Sequence, residues 1–363
     1  MCFLIPRKTL RLAGREHGRA IPLAEIPIRL LPITIGCIFL QRASSPEAAA
    51  RASQPALSEI PNIQGRPPMR KFLRLVVTAT ALLEIAALQP ALSDGQVRQL
   101  VGDWKLAYAT SGQTNLRVFT AGDGPTLVML PGRGLGPSSL EPLAQRLVAA
   151  GFRVVLPEPR GYGESVGPLV GVTLRDLTAD IARSIEVADG APVVVAGHAY
   201  GNRVARMLAQ ERTDLIRGVV LIAAGGKFPP TAEVAEDLKT WLNKSLPENR
   251  RAAAAKAAFF GPQSDPTNED FMLDGISADT SKMQAAATAG PLESWWPGGR
   301  GPMLIIQGLA DVVAPPENGR SLKADYPERV TLVEFAGLGH FMTRERPDLI
   351  AEAIIAFMQK LAR

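Results

Sequence analysis

From about residue 100 onward, short runs of β-branched and aliphatic residues alternate with longer amphipathic stretches. Seven runs read as strands: Leu116–Thr120, Thr126–Leu130, Arg153–Leu156, Val193–Ala196, Gly218–Ile222, Met303–Gln307 and Val330–Phe335. Several are apolar throughout, as strands covered on both faces should be. Between them, Leu140–Ala150, Leu174–Glu186, Tyr200–Gln210, Pro316–Ala324 and Asp348–Leu361 carry helical spacing. This alternation predicts βαβ units, an α/β domain over about 94–363 and a mostly parallel sheet flanked by helices.

The rhythm breaks over 226–300, where about 75 residues separate one strand from the next. Alanine-rich ENRRAAAAKAAFF and Pro/Gly-rich ESWWPGGRGP lie there. The stretch predicts a helical insertion over the sheet, a lid. Its large apolar side chains include Trp241, Phe259, Phe260, Met272, Trp295 and Trp296. Either they line a substrate pocket, with Phe259, Trp295 and Trp296 as the named candidates, or they form the insertion's own core.

Ahead of this domain, Met69 opens MRKFLRLVVTATALLEIAALQPALSDG. Basic residues, then an apolar stretch, then small residues is the order of a secretory signal peptide, here 69–93. Glu84 interrupts the apolar stretch. The segment predicts a periplasmic or secreted protein, with residues 1–68 as an upstream, disordered extension.

Charge sharpens the picture. The formal net charge is +5, but nine basic residues face only four acidic ones in 1–68 alone. Residues 94–363 are nearly neutral, so no long-range field steers polyanions and nucleic acid is excluded as a partner. Both cysteines, Cys2 and Cys37, lie in the extension. Only His198 and His340 follow residue 93, without ligand spacing, so no metal site is expected. No phosphate-binding loop is present, no cofactor is implied, and the mature chain has no membrane span. A small-molecule partner, largely apolar or uncharged, fits the neutral surface and aromatic insertion; nothing in the pattern bears on oligomeric state.

The chemistry concentrates at VVVAGHAYGNRVARMLA, 193–209. An apolar strand ends at Ala196 and a helix starts near Tyr200, with Gly197 and Gly201 two positions either side of Ala199. So sharp a turn needs glycines where a Cβ would strike neighbouring backbone. The arrangement resembles the nucleophile elbow of the α/β-hydrolase superfamily, normally G-x-S-x-G. Leu130-Pro131-Gly132-Arg133-Gly134 resembles the family's oxyanion loop, with Pro-Gly for the common His-Gly. Glu158-Pro159-Arg160-Gly161-Tyr162-Gly163-Glu164-Ser165 is similar to its D-x-R-G-x-G-x-S loop, with Glu158 for Asp. Asp311 stands after a strand at the acid position, and His340 after the last strand at the base position. The resemblance spans about 260 residues in the right order. It implies the eight-stranded fold and the lid-bearing esterase, lipase or epoxide-hydrolase branch.

Ala199 occupies the position of the reactive serine, and a methyl group can neither attack a carbonyl nor lose a proton. His198 and Tyr200 flank the apex, with side chains expected to leave the turn in other directions. The resemblance implies backbone oxyanion donors at Arg133 and Tyr200. Three readings follow. His340, oriented by Asp311, acts as general base on water or substrate, as hydroxynitrile lyases and cofactor-free dioxygenases of this fold use their histidine in related ways. Alternatively, the chain is a non-catalytic ligand-binding homologue. Or Ala199 replaces the serine of a parent enzyme.

Overall fold

The computed structural model describes residues 100–188, 190, 192–266 and 275–362. The expected extension (1–68), the expected signal peptide (69–93) and Met272 lie outside the described residues.

Eight strands form one sheet: β1 (Lys105–Ser111), β2 (Thr114–Ala121), β3 (Thr126–Leu130), β4 (Arg153–Pro157), β5 (Val193–His198), β6 (Ile216–Ile222), β7 (Met303–Gly308) and β8 (Val330–Phe335). Their order is β1-β2-β4-β3-β5-β6-β7-β8. β1 runs antiparallel to β2, and β2 to β4; all other pairs are parallel. The seven strands read from the pattern are all present. β1 had no apolar run to reveal it, because it is an edge strand and only Ala109 is buried.

The helices are α1 (Glu141–Ala149), α2 (Leu174–Val187), α3 (Gly201–Glu211), α4 (Ala232–Leu242), α5 (Glu248–Phe259), α6 (Ala278–Ala287), α7 (Glu317–Asp325), α8 (Met342–Glu345) and α9 (Pro347–Leu361). Local chemistry sets several starts. Thr173 and Asp176 cap each other reciprocally at the head of α2, and Pro347 supplies a preset φ in the first turn of α9.

Side-chain alternation along the strands feeds two cores. Val128, Leu130, Val193, Val195, Val219 and Leu221 join Ile181 and Ile185 of α2 and Val204 and Leu208 of α3. Their neighbours Leu127, Met129, Val194, Ala196, Val220 and Ile222 face the other way, toward Leu143 of α1 and Ile350 and Ile354 of α9. Both faces of the central strands are therefore dry, which is why their sequence is apolar without a break.

Helices α4 to α6 enter between β6 and β7; α4 and α5 build a third core from Trp241, Ala255, Ala258, Phe259 and Phe260, with Leu135 and Phe341 reaching in, while Met283 and Ala287 of α6 join the first core. The start of α6 is fastened to two sheet loops. The Ser277 N–H donates to Gly134 O (3.0 Å), its Oγ to Gly161 O (3.0 Å), and the Gly134 N–H to Gln284 Oε1 (2.8 Å). The EPRGYGES loop is itself tied down: buried Arg160 forks onto Asp180 with two 2.7 Å bonds. Buried Glu158 accepts from Ser165 Oγ (2.7 Å), Ser165 N–H (3.0 Å) and Arg117 (2.9 Å), while desolvation pushes its carboxyl above the usual range.

The turn from β5 into α3 has no spare volume. A Cβ on Gly197 would lie 2.4 Å from the Asn202 nitrogen, and one on Gly201 2.4 Å from the Leu130 carbonyl oxygen. Backbone cannot swing aside as a side-chain tip can. Gly201→Ala should therefore lower stability by about 3 kcal/mol or more, or abolish soluble expression. Gly290→Ala, where nothing lies within 4 Å, should change it by about 0.5 kcal/mol or less. Chemical denaturation of the two variants makes the comparison; equal stabilities would refute the packing argument.

Candidate active site

At the apex of that turn, Ala199 has φ of 50°, a left-handed conformation that an L-residue adopts at a cost of about 1–3 kcal/mol. It is held there by its own N–H donating to Ile222 O (3.0 Å) and its carbonyl accepting from the Asn202 N–H (3.3 Å). Ala223, just past β6, is the second such residue, at φ 54°. Its N–H donates to Ile306 O (3.0 Å), and its carbonyl accepts from Asn202 Nδ2 (3.2 Å). Both strained alanines line one cavity of about 200 Å³, together with Gly132, Arg133, Tyr200, Arg203, Phe259 and His340. The only non-glycine residues with positive φ among those described meet at this hollow.

The loops after β7 and β8 bring a carboxylate and an imidazole together beside it. His340 Nδ1 lies 2.9 and 3.0 Å from the two Asp311 oxygens, and both residues are buried. A carboxylate only accepts, so Nδ1 carries the proton and the Nε2 lone pair is left for other work. Asp311 is held in turn. Its Oδ1 accepts from the Val313 (3.0 Å) and Ala314 (2.8 Å) N–H groups, which makes it a turn residue as well as the partner of His340. Gln307 Nε2 donates to Ala314 O (2.6 Å), and its Oε1 accepts from the Ala224 N–H (3.1 Å).

The His340 loop is gripped from the insertion. The Phe341 N–H donates to Phe259 O (2.9 Å), and the Glu345 carboxylate accepts from the N–H groups of Gly339 (2.8 Å) and Gly261 (2.9 Å) and from Ser264 Oγ. The Phe259 and Phe341 rings stack at 4.5 Å beside the imidazole. On the other side of the site, no hydrogen-bond partner within the described residues is seen for the backbone N–H of Arg133 or Tyr200, both of which line the cavity.

His198 does not leave the site as expected. Its ring lines the cavity, and Nε2–H donates to His340 O at 2.9 Å, with the ring centroids 5.3 Å apart. The reason is topological: β5 and β8 run parallel in one sheet, so the turn after β5 and the loop after β8 leave at the same carboxyl ends and the residue before the apex faces His340. The structure gathers Ala199, Tyr200, Arg133, His340, Phe259 and Trp241 at the cavity, with Asp311 beneath them.

Trp295 and Trp296 are elsewhere and do not line it. They pack around Arg206, whose guanidinium carbon is 4.5 and 5.0 Å from their ring centroids, and Trp296 Nε1 donates to Asp325 (2.7 Å). Arg206 is fully buried, and two indole faces give its charge the shelter that water would otherwise supply. Arg203, Ala223, Gln307 and Phe341 were not anticipated, and only Arg203, four residues past the apex, carried a readable signal. Among the described residues no cluster of His, Cys, Asp or Glu could hold a metal ion, and no helix is long and apolar enough to cross a membrane.

Residues 127–353 match the model of the alpha/beta hydrolase family, and the chain belongs to that family. It is 28% identical over 258 residues to BpoC of Mycobacterium tuberculosis, provisionally named a non-heme bromoperoxidase, covering 67% of this chain and 97% of the relative. A non-heme chloroperoxidase of Streptomyces lividans is 24% identical over 239 residues, covering 58% and 82%. The crystal structure of BpoC superposes with a TM-score of 0.58 at 25% identity, covering 74% of this chain and 98% of that one. An esterase from Exiguobacterium antarcticum shares the fold at 20% identity, with a TM-score of 0.59 over 73% of this chain and 99% of its own.

Burial, reinforced by the neighbouring His340 ring, holds the His198 imidazole down at about 4, against 6.5 for a free one. The folded chain then binds fewer protons there than the unfolded chain between those values. Stability is complete above pH 6.5 and declines as the pH falls toward 4, by about 3 kcal/mol at most. His198→Gln keeps an N–H donor for His340 O and should flatten this slope in urea titrations at pH 7.5 and 4.5. An unchanged slope would show that His198 is not the sensitive group.

Proposed function

We propose that this protein is a hydrolase whose centre works by general-base catalysis without a serine nucleophile. Ala199 stands at the nucleophile position of the elbow and is chemically inert. The observation that carries the reading is the 2.9 Å bond between His340 Nδ1 and Asp311, buried at a cavity that also receives the Ala199 methyl. Asp311 fixes the tautomer and stabilises the imidazolium once His340 Nε2 has accepted a proton.

Without a hydroxyl on residue 199, a water takes the attacking role. His340 removes its proton as oxygen bonds to the substrate carbonyl carbon. The resulting oxyanion is received by the backbone N–H groups of Arg133 and Tyr200, and the imidazolium then returns the proton to the leaving group. Phe259, Trp241 and Leu135 offer the apolar part of the wall, which suits a small organic substrate with an apolar body. In this reading α4 to α6 act as the lid. The strain kept at Ala199 and Ala223 supports a working site, since relaxing to glycine would recover the cost at each.

A non-catalytic binding protein is the second reading, and the missing hydroxyl itself favours it. Steady-state assays separate the two. Against a panel of small esters, the native chain should show turnover that His340→Ala reduces by about 10²-fold or more. Ligand binding with no product, indifferent to His340→Ala, would establish the binding protein instead.

Ala199→Ser should create or raise hydrolysis of p-nitrophenyl acetate and make the protein react covalently with an organophosphonate, because acid, base and oxyanion donors are already assembled. A folded variant that does neither would overturn the assembled site.

A further inference from the structure

The cavity carries a charge that the nearly neutral surface does not announce. Two arginines line it, Arg133 at its exposed edge and half-buried Arg203 in the first turn of α3. Neither makes an ion pair with a carboxylate among the described residues; Arg206 further along α3 also lacks one, but it donates to Asn202 and Gly225 oxygens. No Asp or Glu lines the cavity. The nearest acid, Asp311, spends its oxygens on His340, Val313 and Ala314.

Arg203 is positioned without being neutralised. Its guanidinium carbon lies 6.0 Å from the centroid of the Tyr200 ring and 5.5 Å from that of Trp295. Such faces hold a cation in place and leave its N–H fork free. Arg133 and Arg203 line the same cavity. A half-buried guanidinium without a counter-ion is unfavourable, and an oxyanion supplied from outside satisfies it.

We infer that the cavity takes an organic carboxylate, its anionic head on Arg203 and Arg133 and its apolar body against Leu135, Leu238, Trp241 and Phe259. The planar fork of an arginine matches a carboxylate's two oxygens, and Arg133 at the rim meets the anion as it enters. This replaces the largely uncharged substrate expected from the overall charge with an anionic one, and it rests on reading the cavity as the substrate site.

Isothermal titration of the full chain with benzoate and with neutral benzamide tests it. Benzoate should bind about 10-fold or more tightly, with an affinity that falls as salt rises. Arg203→Gln should erase most of that preference, Arg203→Lys should restore part of it, and Arg133→Gln should weaken it several-fold. The exposed Arg133 variant keeps the test open if Arg203→Gln does not fold, and both leave the backbone amides in place. Equal affinity for the two ligands, or a preference untouched by Arg133→Gln and by whichever Arg203 variant folds, overturns the inference. So does a preference lost in His340→Asn but kept in the arginine variants, which would assign the anion to the imidazole. An arginine-dependent preference with no His340-dependent turnover would instead defeat the catalytic proposal and leave the anion site standing.

Discussion

The closeness of backbone to backbone where β5 turns into α3 governs the rest of the site. Gly201 packs against the Leu130 and Pro131 carbonyls, and Gly197 against the first turn of α3. With no side chains to hold these segments apart, the end of β3, the apex at Ala199 and the head of α3 are pressed into one block. Arg133 and Tyr200 belong to two chain segments that this contact joins, and Ala199 is held at φ 50° by hydrogen bonds to β6 and α3. Interiors packed this densely transmit displacement, so a shift at any one strand end would be felt at the others.

Around that block the electrostatics are arranged by burial. Asp311 carries its charge in a dry setting because two backbone N–H groups and the His340 ring receive it. His198, with only a carbonyl to donate to, is kept neutral by the same dryness. The two histidines are thus unequal: one is oriented by an acid and available at Nε2, while the other anchors the loop on which the first stands. The inserted helices complete the support, since Phe259 and Gly261 bond directly to the loop that carries His340. The insertion supplies part of the cavity wall and also holds the loop that carries His340.

Membership of the alpha/beta hydrolase family sets the architecture, and the departure at residue 199 sets the question. In the proposed reading, a serine at 199 would make the assembly an ordinary acyl-transfer site. An alanine held in the same strained conformation, with a second strained alanine beside it, leaves the polarising machinery around an open space. Two arginines without ion-pair partners among the described residues line that space, a local charge that the overall balance of the chain does not reveal.

The amino-acid sequence by itself determined the sheet, its apolar central strands, the glycine-framed turn and the chain order of Ala199, Asp311 and His340, because each is encoded locally by a strand's period, a missing Cβ or a residue just past a strand end. Edge strand β1 escaped because exposure on both faces erases the apolar signal. Which aromatic side chains meet the cavity was decided only by tertiary structure. Trp295 and Trp296 turn to shelter buried Arg206, while His198, Arg203 and Ala223 reach the hollow, since side-chain direction follows from the convergence of distant loops rather than from any spacing along the chain.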